Sequence, residues 1–393
     1  MSDVAPSEIP ADSRAKPLPR STGKLRVGLI SAAWGAYAHL PAWRSLEDVE
    51  VVGICTSRRE TAESAARQYR IERPFWDYRA MASDPDIDIV DCGTRPNWRR
   101  DMALAALSAG KHVYNGIPFT ESFESSRRLI QAWSGSGLVG GVDAFSEWFP
   151  AHRMLRELVQ DGFLGRPFAC NVHFHISLFN RPRRDFPYTW FQHAEHGCSA
   201  LRNLGSHALH VLQNVFGDVE SVVGHDAQYL DEWKFDDGTT VKPETTDTAA
   251  LLMRYANGMV GTLQPCWNVA AGGSGWILEA YGSRGRLRVQ APPPRFPAHD
   301  TTELFAGSAD STCLEPVEIP ARLRNLPSGA RADTLTPPAA VPMAWSFQDL
   351  LRAVREGTSC RPDFAQAWKV ERILEAARRS QHTRAWVDLA DVV

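Results

Sequence analysis

The stretch LRVGLISAAWGAYAHLPAW, Leu25–Trp43, decides the fold. It opens on an apolar β-type run, Leu25–Ile30, and passes through small residues into a helix-length segment. The same alternation continues outward from it. VEVVGICT, DIDIVDCGT and GKHVYNG are further strand runs, separated by helical segments such as ETAESAARQYR and RRDMALAALSAG. Strands that alternate with helices imply βαβ units and a parallel sheet, so residues 24–145 are expected to form one α/β domain. Cys55 and Cys92 fall inside these apolar runs and are expected to be inert core residues.

At 393 residues the chain is too long for one ordinary domain of roughly 100 to 200 residues, so two are expected. Hydrophobic residues make up 44 % and charged residues 23 %, with a formal net charge of -3. Such a composition argues against disorder and against a basic nucleic-acid surface. No apolar run approaches the roughly 20 residues that span a bilayer, and the start of the chain lacks a secretory signal's apolar core. A cytoplasmic protein with neither a nucleic-acid nor a membrane partner is the expectation. Seven cysteines without any C-x-x-C spacing point to free thiols.

Residues 1–23, rich in Pro, Ser, Ala and charge, read as a mobile arm. After about residue 145 the pattern changes. A helical stretch, PAHRMLRELVQDGFLG, leads into FACNVHFHISLF, DTAALLMRYANGMVGTLQPCWNV and GWILEAYGSRGRLRVQ. Ala-Asn-Gly and Gly-Ser-Arg-Gly are hairpin turns inside the last two, so a large, mainly antiparallel open sheet is expected over 146–393. A Pro-rich connection over 291–342 shows little periodicity and is expected to wrap the surface, before closing helices within 345–382.

A dinucleotide-binding turn ordinarily carries G-x-G-x-x-G after its first strand. Aligned on His39, those three positions hold Ser31, Ala33 and Ala36. Small residues still let the main chain approach a pyrophosphate, which makes Ser31, Ala32, Ala33, Trp34 and Ala36 cofactor-binding candidates. A βαβ unit that has lost its cofactor fits the same residues. At the end of the second strand, where an acidic residue would take the ribose hydroxyls, the chain reads Thr56-Ser57-Arg58-Arg59. An arginine pair with small hydroxyls suits a 2′-phosphate and favours NADP over NAD, although two solvated arginines opening a helix would read the same way.

Five stretches in order, VGLISAAWGAYAHLPAW, DIDIVDCGTRPN, ALAALSAGKHVYNGIPFTES, LRELVQDGFLGRP and GCSALRNLGSHALHVLQNVFG, give nearly the whole chain after residue 23 a clear likeness. It resembles the glucose-fructose oxidoreductase, inositol dehydrogenase and MocA (Gfo/Idh/MocA) family. The resemblance implies an N-terminal Rossmann domain and a C-terminal α/β domain built on a large open sheet, which packs against other subunits as a homodimer or homotetramer. It also implies cofactor contacts from Thr94, Arg95, Pro96 and Asn97, and from Asn115, Ile117 and Pro118.

Two signatures of the family depart from their usual form. Glu-Lys-Pro, whose lysine contacts substrate and cofactor, is here Gly116-Ile117-Pro118. That loss removes a donor and a positive charge near the reacting carbon. Tyr114, Asn115 and Tyr188 are candidates to supply the lost contact. The pattern D-x-G-x-H-x-x-D appears as Asn203, Gly205, His207 and His210, so the histidine stays and both aspartates are replaced. By resemblance, His207 takes the hydroxyl proton as hydride leaves carbon, and imidazole titrates in the range this needs. Glu147-Trp148-Phe149-Pro150 stands where the family often has Arg-Phe-x-Pro, and Arg99 stands where a histidine is common. Glu147, Trp148, Arg202, Asn203, His207 and Trp190 are the substrate-binding candidates. Trp98, Trp148, Tyr188 and Trp190 can form an aromatic wall or serve as core packing.

Six of the 12 histidines lie between 173 and 210. His173 with His175 on a strand, and His207 with His210 on a helix, each share a face. A metal site would need three or four nitrogens from His173, His175, His193, His196 and His210 to converge, with a carboxylate such as Asp185 or Glu195. Proton relays or polar lining are commoner uses, so no metal is assigned.

The leading expectation is an NAD(P)-dependent oxidoreductase that interconverts a secondary alcohol and a ketone on a sugar, cyclitol or other cyclic hydroxylated small molecule. Two alternatives stay open. One is an NAD-retaining glycosidase or lyase that oxidises its substrate only transiently. The other is a non-catalytic regulator that binds nucleotide and sugar, which the missing lysine and glycines favour.

Overall fold

The apolar runs from Leu25 onward pair as six parallel strands: β1 (Leu25–Ile30), β2 (Val49–Cys55), β3 (Arg73–Phe75), β4 (Ile89–Cys92), β5 (His112–Asn115) and β6 (Gly140–Val142). Their order is β3-β2-β1-β4-β5-β6. The computed structural model describes residues 23–180, 182–184, 189–291, 298, 300–332, 335, 337 and 339–393. The arm read over residues 1–23 therefore lies, Gly23 apart, outside the described residues.

A π-helical turn, Gly35–His39, leads into α1 (Leu40–Ser45), and α2 (Arg59–Tyr69), α3 (Tyr78–Ala82), α4 (Pro96–Ser108) and α5 (Phe123–Trp133) follow. Their starts are set locally. The Asp77 carboxylate accepts from the Arg79 N–H, Ser122 Oγ accepts from the Ser125 N–H, and Pro96 occupies the first position of α4. Every residue of β4 and β5 is buried, as in a sheet covered on both faces. Val90, Val113, Leu129, Ile130 and Val142 pack in one core cluster with Phe364. Cys55 and Cys92 lie in that cluster too, and burial pushes both thiols up. The strand order reverses between β1 and β4, which leaves a crevice at the strand ends there.

The chain continues through α6 (Pro150–Gln160), β7 (Pro167–His175), α7 (Ser206–Phe216), β8 (Val219–Ala227), β9 (Trp233–Lys234) and β10 (Thr240–Val241). It goes on through β11 (Thr248–Tyr255), β12 (Val260–Cys266), β13 (Gly275–Gly282), β14 (Gly285–Ala291), β15 (Glu303–Ser308), β16 (Glu315–Pro316) and α8 (Ala321–Arg324). It closes with α9 (Ala340–Glu356), α10 (Phe364–Thr383) and β17 (Val387–Asp388). Nine of these strands form one sheet in the order β16-β15-β14-β13-β7-β12-β11-β8-β17. All its pairings are antiparallel except β7 with β12. The two hairpins read from Ala-Asn-Gly and Gly-Ser-Arg-Gly are β11–β12 and β13–β14.

Three sequence readings change. β3 and β6, three residues each, escaped notice because so short a run carries no period. The Pro-rich connection is more than a surface wrap, since β15 and β16 within it extend the second sheet. Contacts divide the chain into a unit through Phe145 that also takes Leu326–Trp368, and a unit of Ser146–Asn325 with Lys369–Val393. The sequence reading puts all residues after 145 in the second domain, but α9 turns Phe347 onto Trp43 with stacked rings 3.6 Å apart, which ties it to the first. Among the described residues no helix is long and apolar enough to cross a membrane.

Candidate active site

In the first unit the turn after β1 is shaped by side chains. Ser31 is buried and its Oγ accepts from the Ala33 N–H at 3.0 Å, while Ala32 and Ala33 are exposed and Ala36 is buried. The Trp34 indole N–H donates to Asp143 Oδ2 at 2.9 Å. Glycine is used where the turn meets the loop after β4. A Cβ at Gly93 would lie 2.9 Å from Gly35 Cα, and one at Gly35 would crowd Leu29 Cδ1 at 3.0 Å and Ser31 Cβ at 3.1 Å. The alignment on Ser31, Ala33 and Ala36 missed this Gly35–Gly93 approach because its two halves are far apart in sequence.

At the end of β2, Thr56 Oγ1 is 2.6 Å from Thr61 Oγ1 and donates to the Arg58 carbonyl at 3.1 Å. Ser57 and Arg58 are exposed, and no partner for the Arg58 guanidinium occurs among the described residues. Arg59 lies over the Trp76 ring at 4.2 Å. Trp76, which the sequence reading does not single out, is 43 % exposed beneath this guanidinium.

The ends of β4 and β5 carry the next group. Arg95 lies over Trp98 at 5.2 Å, and Pro96 opens α4. Asn97 Oδ1 and Asn115 Oδ1 are buried without a hydrogen-bond partner among the described residues. Asn115 uses its Nδ2 on the Phe119 carbonyl at 2.7 Å. Arg99, 5 % exposed, bends over the loop: it donates from Nε to Thr94 O at 2.5 Å, from Nη2 to Ile117 O at 3.2 Å, and from Nη1 to Pro118 O. A Cβ at Gly116 would fall 2.7 Å from Arg99 Cζ. The Ile117–Pro118 peptide is cis. Tyr114 does not belong with these residues. It is fully buried, its hydroxyl meets Ser346 Oγ at 3.2 Å, and its ring lies edge-on to Phe347, so it packs the core and offers nothing to a ligand.

In the second unit a π-helical turn, Leu201–Gly205, delivers the chain into α7. His207, half-buried, sits on the first turn of α7, and His210 follows one turn on. His210 Nδ1 stands 3.5 Å from Glu147 Oε1, and both residues are buried. Asn203 Oδ1 accepts from the Ser199 N–H at 3.2 Å. Arg202 is bound to Glu371 at 3.2 and 3.3 Å and to the Gly197 carbonyl at 2.8 Å, so its guanidinium braces the fold of this segment instead of standing open for a substrate. Trp148 lies beneath Arg153 at 5.6 Å, and Trp190 meets His196 edge-on at 5.2 Å. Tyr188 and Asp185 lie outside the described residues.

The remaining histidines do not converge. His173 and His175 stack at 5.3 Å, His175 pairs with Ser274 Oγ at 3.1 Å, and burial pushes its pKa down. His193 and His196 meet edge-on at 5.9 Å, and Glu195 is 3.9 Å from His196. Among the described residues no group of three His, Cys, Asp or Glu is placed to hold a metal ion.

Comparison with known proteins matches both units. Residues 25–143 fit the model of the oxidoreductase family with an NAD-binding Rossmann fold, and residues 152–288 fit the GFO/IDH/MocA C-terminal domain. The chain is 24 % identical to levoglucosan dehydrogenase of Pseudarthrobacter phenanthrenivorans, over 94 % of this chain and 99 % of that protein. It is 26 % identical to D-apiose dehydrogenase of Paraburkholderia graminis over 68 % of each. In structure it is similar to levoglucosan dehydrogenase in complex with NADH, with a TM-score of 0.82 and 23 % identity over 93 % of this chain and 99 % of that one. An NAD binding oxidoreductase from Klebsiella pneumoniae gives a TM-score of 0.81 and 22 % identity over 94 % of this chain and all of that one.

Proposed function

Because the chain belongs to the GFO/IDH/MocA oxidoreductase family, we propose that it interconverts a secondary alcohol and a ketone on a sugar, cyclitol or related cyclic polyol. The observation that carries this reading is His207, kept in the family's second signature and half-buried on the first turn of α7. Its imidazole takes the hydroxyl proton during oxidation and returns it during reduction. His210, one turn further along the same face of α7, meets the buried Glu147 at 3.5 Å and fixes the helix beside His207.

The residues of the first unit suit a nicotinamide dinucleotide. Gly35 and Gly93 keep the crevice between β1 and β4 narrow, and the unpartnered Asn97 and Asn115 oxygens are acceptors for ligand N–H or O–H groups. When bound, the nicotinamide supplies the hydride acceptor or donor. Arg58 and Arg59 at the end of β2, with no acidic residue in Thr56–Arg59, favour NADP over NAD through a 2′-phosphate. Arg99 does not replace the lysine as a ligand contact: its guanidinium is bound to the Thr94, Ile117 and Pro118 carbonyls and holds the shape of the loop in which Ile117 stands.

The test is a screen of sugars and cyclic polyols with NADP+ and NAD+, followed at the reduced-nicotinamide absorbance band. Turnover of at least one polyol, faster with NADP+, is the expected result. Tight nucleotide binding with no turnover of any class would overturn the reading in favour of a binding protein.

A further inference from the structure

Between the turn after β1 and the far side of the same sheet lies an ion cluster that the proposed reaction does not use. His39, on the π-helical turn, is fully buried. Its Nδ1 is 2.9 Å from both oxygens of Asp91 on β4, and its Nε2 is 3.1 Å from Asp143 Oδ2, just past β6. Two indoles donate into the cluster: Trp43 Nε1 to Asp91 Oδ2 at 2.7 Å, and Trp34 Nε1 to Asp143 Oδ2 at 2.9 Å. Tyr114 from β5 and Phe347 from α9 close over the imidazole edge-on at 5.6 and 5.8 Å.

A buried ion cluster is a poor way to gain stability, because apolar residues of similar volume do as well without the desolvation penalty. This one does something packing alone does not: it fixes a turn. Of the three aligned glycine positions none holds glycine, and the bulky Trp34 stands in the middle of the turn. Trp34 is tied to the sheet through Asp143, and Asp143 Oδ1 has no partner among the described residues. The Asp143 carboxylate is thus held by His39 and Trp34, and the turn is held by the carboxylate.

Resting on the nucleotide-binding reading above, we propose that Asp143, Trp34 and protonated His39 are positioning residues for the dinucleotide: together they set the shape of the turn Ser31–Gly35, the task that glycines perform in the usual motif. Two carboxylates, Asp91 and Asp143, face the imidazole, and Tyr114 is the other titratable group against it. Burial alone would push the imidazole down, but the two carboxylates outweigh it and hold the pKa at about 10.

The test uses the full-length protein and two conservative variants, Trp34→Phe and Asp143→Asn. NADH and NADPH affinities are measured by fluorescence titration, and the melting temperature is followed in parallel. Trp34→Phe keeps the ring and loses one charge-assisted hydrogen bond, so it is expected to weaken dinucleotide binding about tenfold with little change in melting temperature. In wild type the affinity should stay flat between about pH 6 and 9 and fall as His39 loses its proton; with one carboxylate gone, Asp143→Asn should show that fall at lower pH. Wild-type affinity in both variants overturns the proposal, and so does a loss that only tracks unfolding. If wild type binds neither dinucleotide, it is the nucleotide-binding reading itself that fails.

Discussion

Gly116 and Arg99 explain each other. The loop Asn115–Pro118 has no ionisable side chain, and a guanidinium from the first turn of α4 fills the space where a side chain at 116 would stand. Gly116→Ala would push that buried group off its carbonyls, at an expected cost of about 1–3 kcal/mol in urea unfolding. Arg99→Met leaves the Thr94, Ile117 and Pro118 carbonyls without their donor and is expected to cost about 2–4 kcal/mol by the same measurement. Wild-type stability in both would show that the guanidinium does not brace the loop. The sequence made the missing lysine plain, because it is a matter of register. It could not show that Arg99 reaches the gap, since nothing in local spacing reports how an arginine at a helix start bends. Tyr114 turns away from the loop for a reason that spacing also hides. Neighbours on a strand point to opposite faces, and Asn115 and Tyr114 separate in this way, one toward Phe119 and the other toward Phe347.

The segment after β1 and the segment that leads to His207 each run through a π-helical turn, Gly35–His39 before α1 and Leu201–Gly205 before α7. Such turns often accompany functional sites, because the wider coil shifts the side chains that follow. At the first of them the His39 cluster gives a stability prediction with a definite sign. The folded pKa of about 10 lies above the ordinary value of 6.5, so the stabilisation is complete below about pH 6.5 and is lost as pH rises through 10. Urea unfolding from about pH 7 to 10.5 should show a decline of a few kcal/mol in wild type and a flatter profile in His39→Gln. Equal slopes would mean that the imidazole is not charged in the folded protein. Asp91, between Val90 and Cys92 in the strand run IVDC, was the visible hint of this cluster. Its partners at 39 and 143 come from other elements, and only the order of the strands brings the three together.

At the level of the whole molecule, the two-part architecture was readable because alternation of strand and helix gives way to hairpin turns near residue 145. The assignment of Leu326–Trp368 was not, because an amphipathic helix does not announce which core its apolar face will join. The nine-stranded sheet of the second unit is also the surface through which we propose that copies of the chain assemble, and light scattering should then give a dimer or tetramer. A monomer at micromolar concentration would count against that. The central claim concerns His207. It is tested most directly by single-turnover oxidation of a polyol that wild type accepts, comparing wild type with His207→Ala at equal occupancy by the nucleotide. The account predicts a fall in hydride-transfer rate of about a hundredfold or more, with nucleotide affinity unchanged. A His207→Ala protein that reduces the nucleotide at the wild-type rate would contradict it.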